Sequence, residues 1–186
     1  FEGGRYAVAY AHEVGPLEVR TGAWASPAGA LLRRVEAALP ELAARLGDHT
    51  LCLTVWGNRG PTAIPWEPSA RPTSAQLRLG LVMNVTASAS GRAFAAFLPA
   101  DVTQAFVDED LRLFRTAGQD PVAEREAFDA EMQTTREKGV ARAAGLWPAE
   151  RLHGVATNAF SAPILDEGGR MVLALTVISP ADRVAH

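Results

Sequence analysis

The stretch Asn158-Ala-Phe-Ser-Ala-Pro-Ile-Leu-Asp-Glu-Gly-Gly-Arg-Met-Val-Leu-Ala-Leu-Thr-Val-Ile-Ser-Pro180 decides the fold. Two apolar, β-branched runs flank Asp166-Glu-Gly-Gly169, a turn sequence, and so predict a hairpin of two buried strands. Side chains alternate along a strand, so residues two apart share a face. If Ala159 faces a cavity, so does Ser161; if Thr176 does, so do Ala174 and Ile178.

The second informative segment is Val82-Met-Asn-Val-Thr-Ala-Ser-Ala-Ser-Gly-Arg-Ala-Phe-Ala-Ala-Phe-Leu-Pro99. It reads as the strand Leu81–Val85, a loop of small residues, and a helix ending at Leu98-Pro99. Ser88 or Ser90 supplies the N-cap. Ala89-Ser90-Gly91-Arg92 is the one anion-friendly feature of the chain, because backbone N–H groups at a helix start can hold a carboxylate. The alternative is structural: small residues there let loop and helix pack closely.

Working outward, Ser26-Pro27 opens a helix with Ser as N-cap and Pro at the first helical position. Leu31, Leu32, Val35, Leu39, Leu42 and Leu46 form its apolar stripe. Pro40 should kink or split it, and Gly47-Asp48 stops it. Leu51–Trp56 and Ala63–Trp66 read as strands joined by Gly57-Asn-Arg-Gly-Pro61. Asp101–Arg115 is a helix whose Asp108, Glu109 and Asp110 suggest a solvated face. Pro121–Lys138 is another, strongly charged, with Val122, Phe128 and Met132 as a narrow stripe and Gly139 as C-cap. The stretch 140–155 carries no clear pattern. The fold class is α+β, an antiparallel sheet covered by helices.

At 186 residues the chain is most simply one domain with a sizeable core. A hydrophobic content of 48% and a mean hydropathy of +0.01 are ordinary for a globular protein. No run approaches the ~18 apolar residues that span a bilayer, and no signal peptide is visible. These features predict a cytoplasmic protein with no membrane partner. The chain begins without Met, which suggests an excised domain. A net charge of −3 and a pI near 5.8 do not suit a module that binds DNA by itself. Arg33-Arg34, the only adjacent basic pair, reads as a solvated helix edge. Cys52, the single cysteine, excludes an internal disulfide and a Cys-based zinc cluster. In its apolar run it is a small buried side chain rather than a nucleophile.

Catalytic machinery is nearly absent from the sequence. His12, His49, His153 and His186 form no metal-spaced pair. His49, beside Asp48 at a helix end, reads as a capping charge. There is no Gly-x-Ser-x-Gly elbow, phosphate-binding loop or dinucleotide fingerprint. No catalytic residue, metal or cofactor is expected.

Together, 82–99 and 158–180 resemble the effector-sensing C-terminal domain of IclR-type bacterial transcription regulators. The resemblance runs from Gly4-Arg-Tyr to Pro180 and is strongest over those two segments. It implies a GAF/PAS-like domain with a ligand cavity floored by the hairpin. Residues 1–20 would then end a winged-helix wing and its linker, and 21–186 would be the effector-binding domain. The DNA-binding helices would lie upstream, so DNA would be contacted only through that N-terminal domain. Relatives form dimers and tetramers, which makes a second copy of the chain an expected partner.

The implied effector site comprises Met83, Val85, Ala89, Ser90, Gly91, Ala159, Ser161, Ala174, Thr176 and Ile178. In relatives that sense small hydrophilic acids, the positions of Thr176 and Ile178 are often both Ser, and that of Ala159 is often Cys. Such relatives also carry an acid where this chain has Ala141-Arg-Ala-Ala-Gly-Leu-Trp147. Burying a small dicarboxylate unpaired among Met83, Val85, Ala159, Ala174 and Ile178 would cost several kcal/mol. The expected effector is therefore an aromatic or partly apolar organic acid. Trp147 is either a stacking lid or a surface-packed aromatic. Two other readings remain at this point: a small enzyme on a GAF-like scaffold, which would need a nucleophile paired with a base, and a dimerisation module with a filled cavity.

Overall fold

The computed structural model describes residues 27–47, 49–67, 79–116, 118–144 and 157–180. In chain order these form α1 (Pro27–Leu46), β1 (Thr50–Gly57), β2 (Gly60–Glu67), α2 (Ala89–Phe97), α3 (Ala100–Phe114), α4 (Pro121–Lys138), β3 (Ala141–Ala144), β4 (Thr157–Leu165) and β5 (Met171–Pro180). The strands make one antiparallel sheet in the order β2-β1-β5-β4-β3. The predicted hairpin is β4–β5, and it lies inside the sheet, between β1 and β3. Its turn is held by Asp166, whose Oδ1 accepts from the N–H groups of Gly168 and Arg170 at 2.9 Å. Gly169 adopts φ +75° there, a conformation that suits glycine.

Register sorts the strand side chains into two faces. Cys52 pairs with Thr176 and Thr176 with Ser161, so Cys52, Thr54, Ala159, Ser161, Ala174, Thr176 and Ile178 share one face. Leu51, Leu53 and Leu173 lie on the other and pack with Leu39 of α1 and Ile64 of β2. Leu32, Val35 and Leu42 of the expected stripe pack around them, while Leu46 is exposed. The helix α1 runs unbroken through Pro40, so the expected split does not occur. Packing of Leu39 on the sheet compensates for the backbone hydrogen bond that Pro40 cannot donate.

On the first face lies α2. Ser88 is its N-cap and accepts from the Gly91 N–H at 2.9 Å. Around Trp56, the ring of Phe94 sits at 5.6 Å and that of Phe106 edge-on at 5.2 Å, joining β1 to α2 and α3. From α4, Phe128, Met132 and Thr135 turn inward. Val122, expected in that stripe, is 64% exposed, since it lies in the first turn, beyond the reach of the core.

Two further expectations fail for identifiable reasons. Leu81–Val85 is not a strand: only a single bridge, Thr62 to Val82, forms against β2. After Met83 N–H bonds Pro61 C=O at 2.8 Å, the chain is turned away by Asp110. The Asp110 carboxylate accepts from the N–H groups of Val85 and Thr86 at 2.5 and 3.1 Å. Asp110 is therefore buried, and only Asp108 and Glu109 behave as solvated acids, paired with Arg125 and Arg112. His49 is the second case. Its Nδ1 lies 2.7 Å from Ser179 Oγ, so it joins the start of β1 to the end of β5 instead of capping α1.

A candidate effector-binding site

Where α2 begins over the sheet, four hydroxyls line up. Thr54 Oγ1 donates to Ser90 Oγ at 3.2 Å. Ser90 Oγ lies 2.8 Å from Thr176 Oγ1, which donates to Ser161 Oγ at 2.9 Å. All four side chains are buried, Thr176 most loosely at 3% exposure. Three bonds within the row satisfy three of the four hydroxyl protons, which is what lets such small polar groups be buried. The sequence pattern identified Ser90, Ser161 and Thr176. It missed Thr54, although alternation along Leu51–Trp56 would have placed it with Cys52 once the β1–β5 register was known.

The first turn of α2 has a more constrained job than the sequence suggested. A Cβ on Gly91 would sit 2.5 Å from Val85 Cα and Val85 O. Real Cβ atoms do not approach so closely, so Gly91 is what lets α2 rest on the 84–85 backbone. The structural reading of these small residues therefore holds for Gly91. The Gly91 N–H is taken by Ser88 Oγ and that of Arg92 by Ser88 C=O. Among the described residues no such bond engages Ala89 or Ser90 N–H, so these are the open donors at the positive end of the helix.

Arg92 is committed elsewhere. Its Nε donates to Thr86 C=O at 2.7 Å, and one terminal nitrogen donates to Glu131 at 2.6 Å and to Arg142 C=O at 2.8 Å. Burial lowers the guanidinium pKa, and Glu131 opposes that shift. Thr86 is thus gripped through its N–H by α3 and through its C=O by α2. The loop that carries Met83 and leads into Ser90 at the start of α2 is braced from both sides.

Beside the hydroxyls lies an apolar wall. Cys52, Ala63 and Ile178 are its buried part, and Met83 and Ala159 pack against them half-buried. Burial pushes the Cys52 thiol up to about 12, with side-chain hydrogen bonding involving Thr54 opposing, so it is a packing residue in the neutral form. Val85 instead packs with Ala95, Val107 and Met132, and Ala174 with Ala93, Phe94 and Ala141. The structure thus gathers Met83, Ala159 and Ile178 beside Ser90, Ser161 and Thr176, and sets Val85 and Ala174 in the packing behind them. Ala143 pairs with Ala159 across β3–β4. Trp147 falls outside the described residues, as do residues 1–20, expected to end a winged-helix wing. No group of three or more His, Cys, Asp or Glu side chains able to hold a metal occurs among the described residues.

Comparison with known proteins agrees with this architecture. Residues 30–186 match the family described as "Bacterial transcriptional regulator IclR C-terminal". No curated protein matches the sequence. Among solved structures, Pseudomonas aeruginosa HmgR is 28% identical with a TM-score of 0.68, over 96% of this chain and 70% of that one. Thermotoga maritima IclR, 18% identical, superposes with a TM-score of 0.63 over 85% of this chain and 63% of its own. The inducer-binding domain of Acinetobacter PobR, a double mutant in complex with 3-hydroxybenzoic acid, is 16% identical and has a TM-score of 0.58, over 81% of this chain and 82% of its own. The two more distant structures establish the fold alone. The matched family is one of transcriptional regulators, and the reading as a small enzyme gains nothing from it. The match over residues 30–186 makes this chain a member of the IclR family of bacterial transcriptional regulators, carrying the C-terminal domain.

Proposed function

We propose that this domain senses an aromatic or partly apolar organic acid and so controls DNA binding by the regulator. One observation carries the reading: an apolar wall of Met83, Ala159 and Ile178 directly adjoins a small set of buried hydroxyls and a helix N-terminus. Sites of this kind hold a ligand by apolar contact and orient it with a few polar groups. The ring would lie over the wall, with its polar end toward Ser90, Ser161, Thr176 and the N–H groups of Ala89 and Ser90. Gly91, Val85 and Ala174 would support that arrangement by letting α2 seat on the loop and the sheet. A strongly hydrated dicarboxylate would find too few partners here.

In this reading residues 1–20 form the end of a winged-helix wing and its linker, and DNA is contacted through an upstream domain. The acidic balance of this chain suits that division, since phosphates are bound by cations. The chain self-associates as a dimer or tetramer and works in the cytoplasm. No helix among the described residues is long and apolar enough to cross a membrane. The effector shifts the DNA-competent population only by its differential affinity for two arrangements of domains or subunits.

A thermal-shift screen tests this reading with benzoate-like acids, short oxo acids and dicarboxylates. A ligand at about 100 times its dissociation constant adds roughly 2.7 kcal/mol, a rise of several degrees for a domain of this size. Selective stabilisation by the aromatic acids is expected. Stabilisation by short oxo acids alone would keep the sensor and overturn the effector class. No shift across the panel would favour a dimerisation module with a filled cavity. Ile178→Ser should move the preference toward smaller, more polar acids, and an unchanged ranking of ligands would remove Ile178 from the site.

A further inference from the structure

The four buried hydroxyls form a directed chain. Thr54 donates to Ser90, and Thr176 donates to Ser161. Each hydroxyl has one proton. Having given its own to Ser161, Thr176 accepts in its other hydrogen bond, so the central bond runs from Ser90 to Thr176. The proton left over is that of Ser161. Among the described residues nothing accepts it, although Ser161 is 0% exposed. Buried donors are almost always paired, and a partnerless one at the edge of a ligand wall points to the ligand. Aligned hydroxyl dipoles reinforce one another, so the last O–H of the chain is a stronger donor than an isolated serine.

Ser161 adjoins the apolar wall, because Thr176 is its cross-strand partner and Ile178 is that of Ala159, the next residue on the same face. Two hydrogen bonds separate it from Ser90 in the first turn of α2, so an anion at Ser161 lies near the positive end of that helix. We propose that Ser161 is the specificity-determining donor for the effector: its O–H binds a carboxylate oxygen of the aromatic acid. Thr54 and Ser90 are positioning residues that set the direction of the chain, touching the ligand through Thr176 and Ser161. This assignment rests on the effector reading above, and its test separates the two.

The experiment is titration calorimetry of the 186-residue chain with benzoate and with 3-hydroxybenzoate. Wild type is compared with Ser161→Ala, Thr54→Val and Thr54→Ser, each first checked for an unchanged fold by circular dichroism. Ser161→Ala should weaken both acids by roughly tenfold or more, the scale of a hydrogen bond to a charged group. Thr54→Val keeps the shape and removes the first donor, and should weaken binding by about twofold to threefold. Thr54→Ser should restore it, a rescue that a purely steric role for Thr54 does not predict. Should Ser161→Ala fail to fold, Ser161→Cys, a poorer donor of similar size, takes its place with a smaller loss of the same sign. Equal affinity in wild type and the Ser161 variant overturns the proposal and leaves the effector reading standing. Failure of both acids to bind wild type overturns both.

Discussion

Under α1 the sheet presents Leu51, Leu53 and Leu173 to Leu39 and Ile64, whereas under α2 it presents Cys52, Thr54, Ser161 and Thr176 to Ser90. Strands β1 and β5 contribute to both faces, and the alternation of side chains makes the two independent. One face is closed by branched aliphatics that bury large area and need no partners. The other is made of small side chains whose hydroxyls must be satisfied one by one. The first face supplies the aliphatic burial, and the proposed effector site would draw its selectivity from the second. Putting both on one rigid sheet holds the polar groups in place without asking them to hold the fold.

The largest expected effect comes from breaking the aliphatic face. Leu53 is fully buried, and Leu53→Ala should cost about 2–5 kcal/mol. Chemical denaturation measures this directly; a loss below about 1 kcal/mol would show that the face is not the main source of stability. On the polar face, Gly91→Ala should cost about 3 kcal/mol, because the new methyl meets backbone rather than a side chain that can move. A variant with an unchanged melting temperature would mean that α2 is free to lift. Asp110→Ala strands the N–H groups of Val85 and Thr86 and should cost about 1–3 kcal/mol. Hydrogen exchange at those two amides should rise in the variant, and unaltered protection would dismiss Asp110 as the brace of the loop.

The smallest effect sharpens the comparison at Cys52. Its folded pKa of about 12 lies above the ordinary 9.0. The contribution of the neutral thiol to stability is therefore full below pH 9 and is lost as pH rises toward 12. Alkylation at pH 8 should be slow in the native chain and fast once it is unfolded. Rapid labelling of the native form would show that this face opens to solvent.

Much of this architecture is legible in the residues themselves. The hairpin, its turn, the four helices of the described residues and the caps Ser88 and Gly139 follow from local rules. Those rules act over a few residues: alternation in strands, a capping oxygen at a helix start, a left-handed glycine at a helix end. The grouping of Ser161 with Ala159, and of Thr176 with Ala174 and Ile178, is of the same kind. Asp110 shows where such reasoning stops. Its neighbours Asp108 and Glu109 are solvated, and only the arrival of the 85–86 backbone against α3 makes it a buried anchor. The same holds for the short segment before Thr86, which has strand composition yet forms a single bridge.

The sequence by itself determined the hairpin, the four helices, the strands at Leu51–Trp56 and Ala63–Trp66, which side chains share a strand face, and, through the two segments 82–99 and 158–180, the family. It did not show β3 (Ala141–Ala144), and it suggested a strand at Leu81–Val85 that forms only one bridge. The tertiary structure decided that Thr54 meets Ser90, that Gly91 must lack a side chain, and that the hydroxyl chain runs toward Ser161. Those facts depend on register between β1 and β5 and on the seating of α2, contacts between residues 36 and 86 positions apart in the chain. Periodicity within a segment carries no information about such distances, because they are set by how whole elements pack.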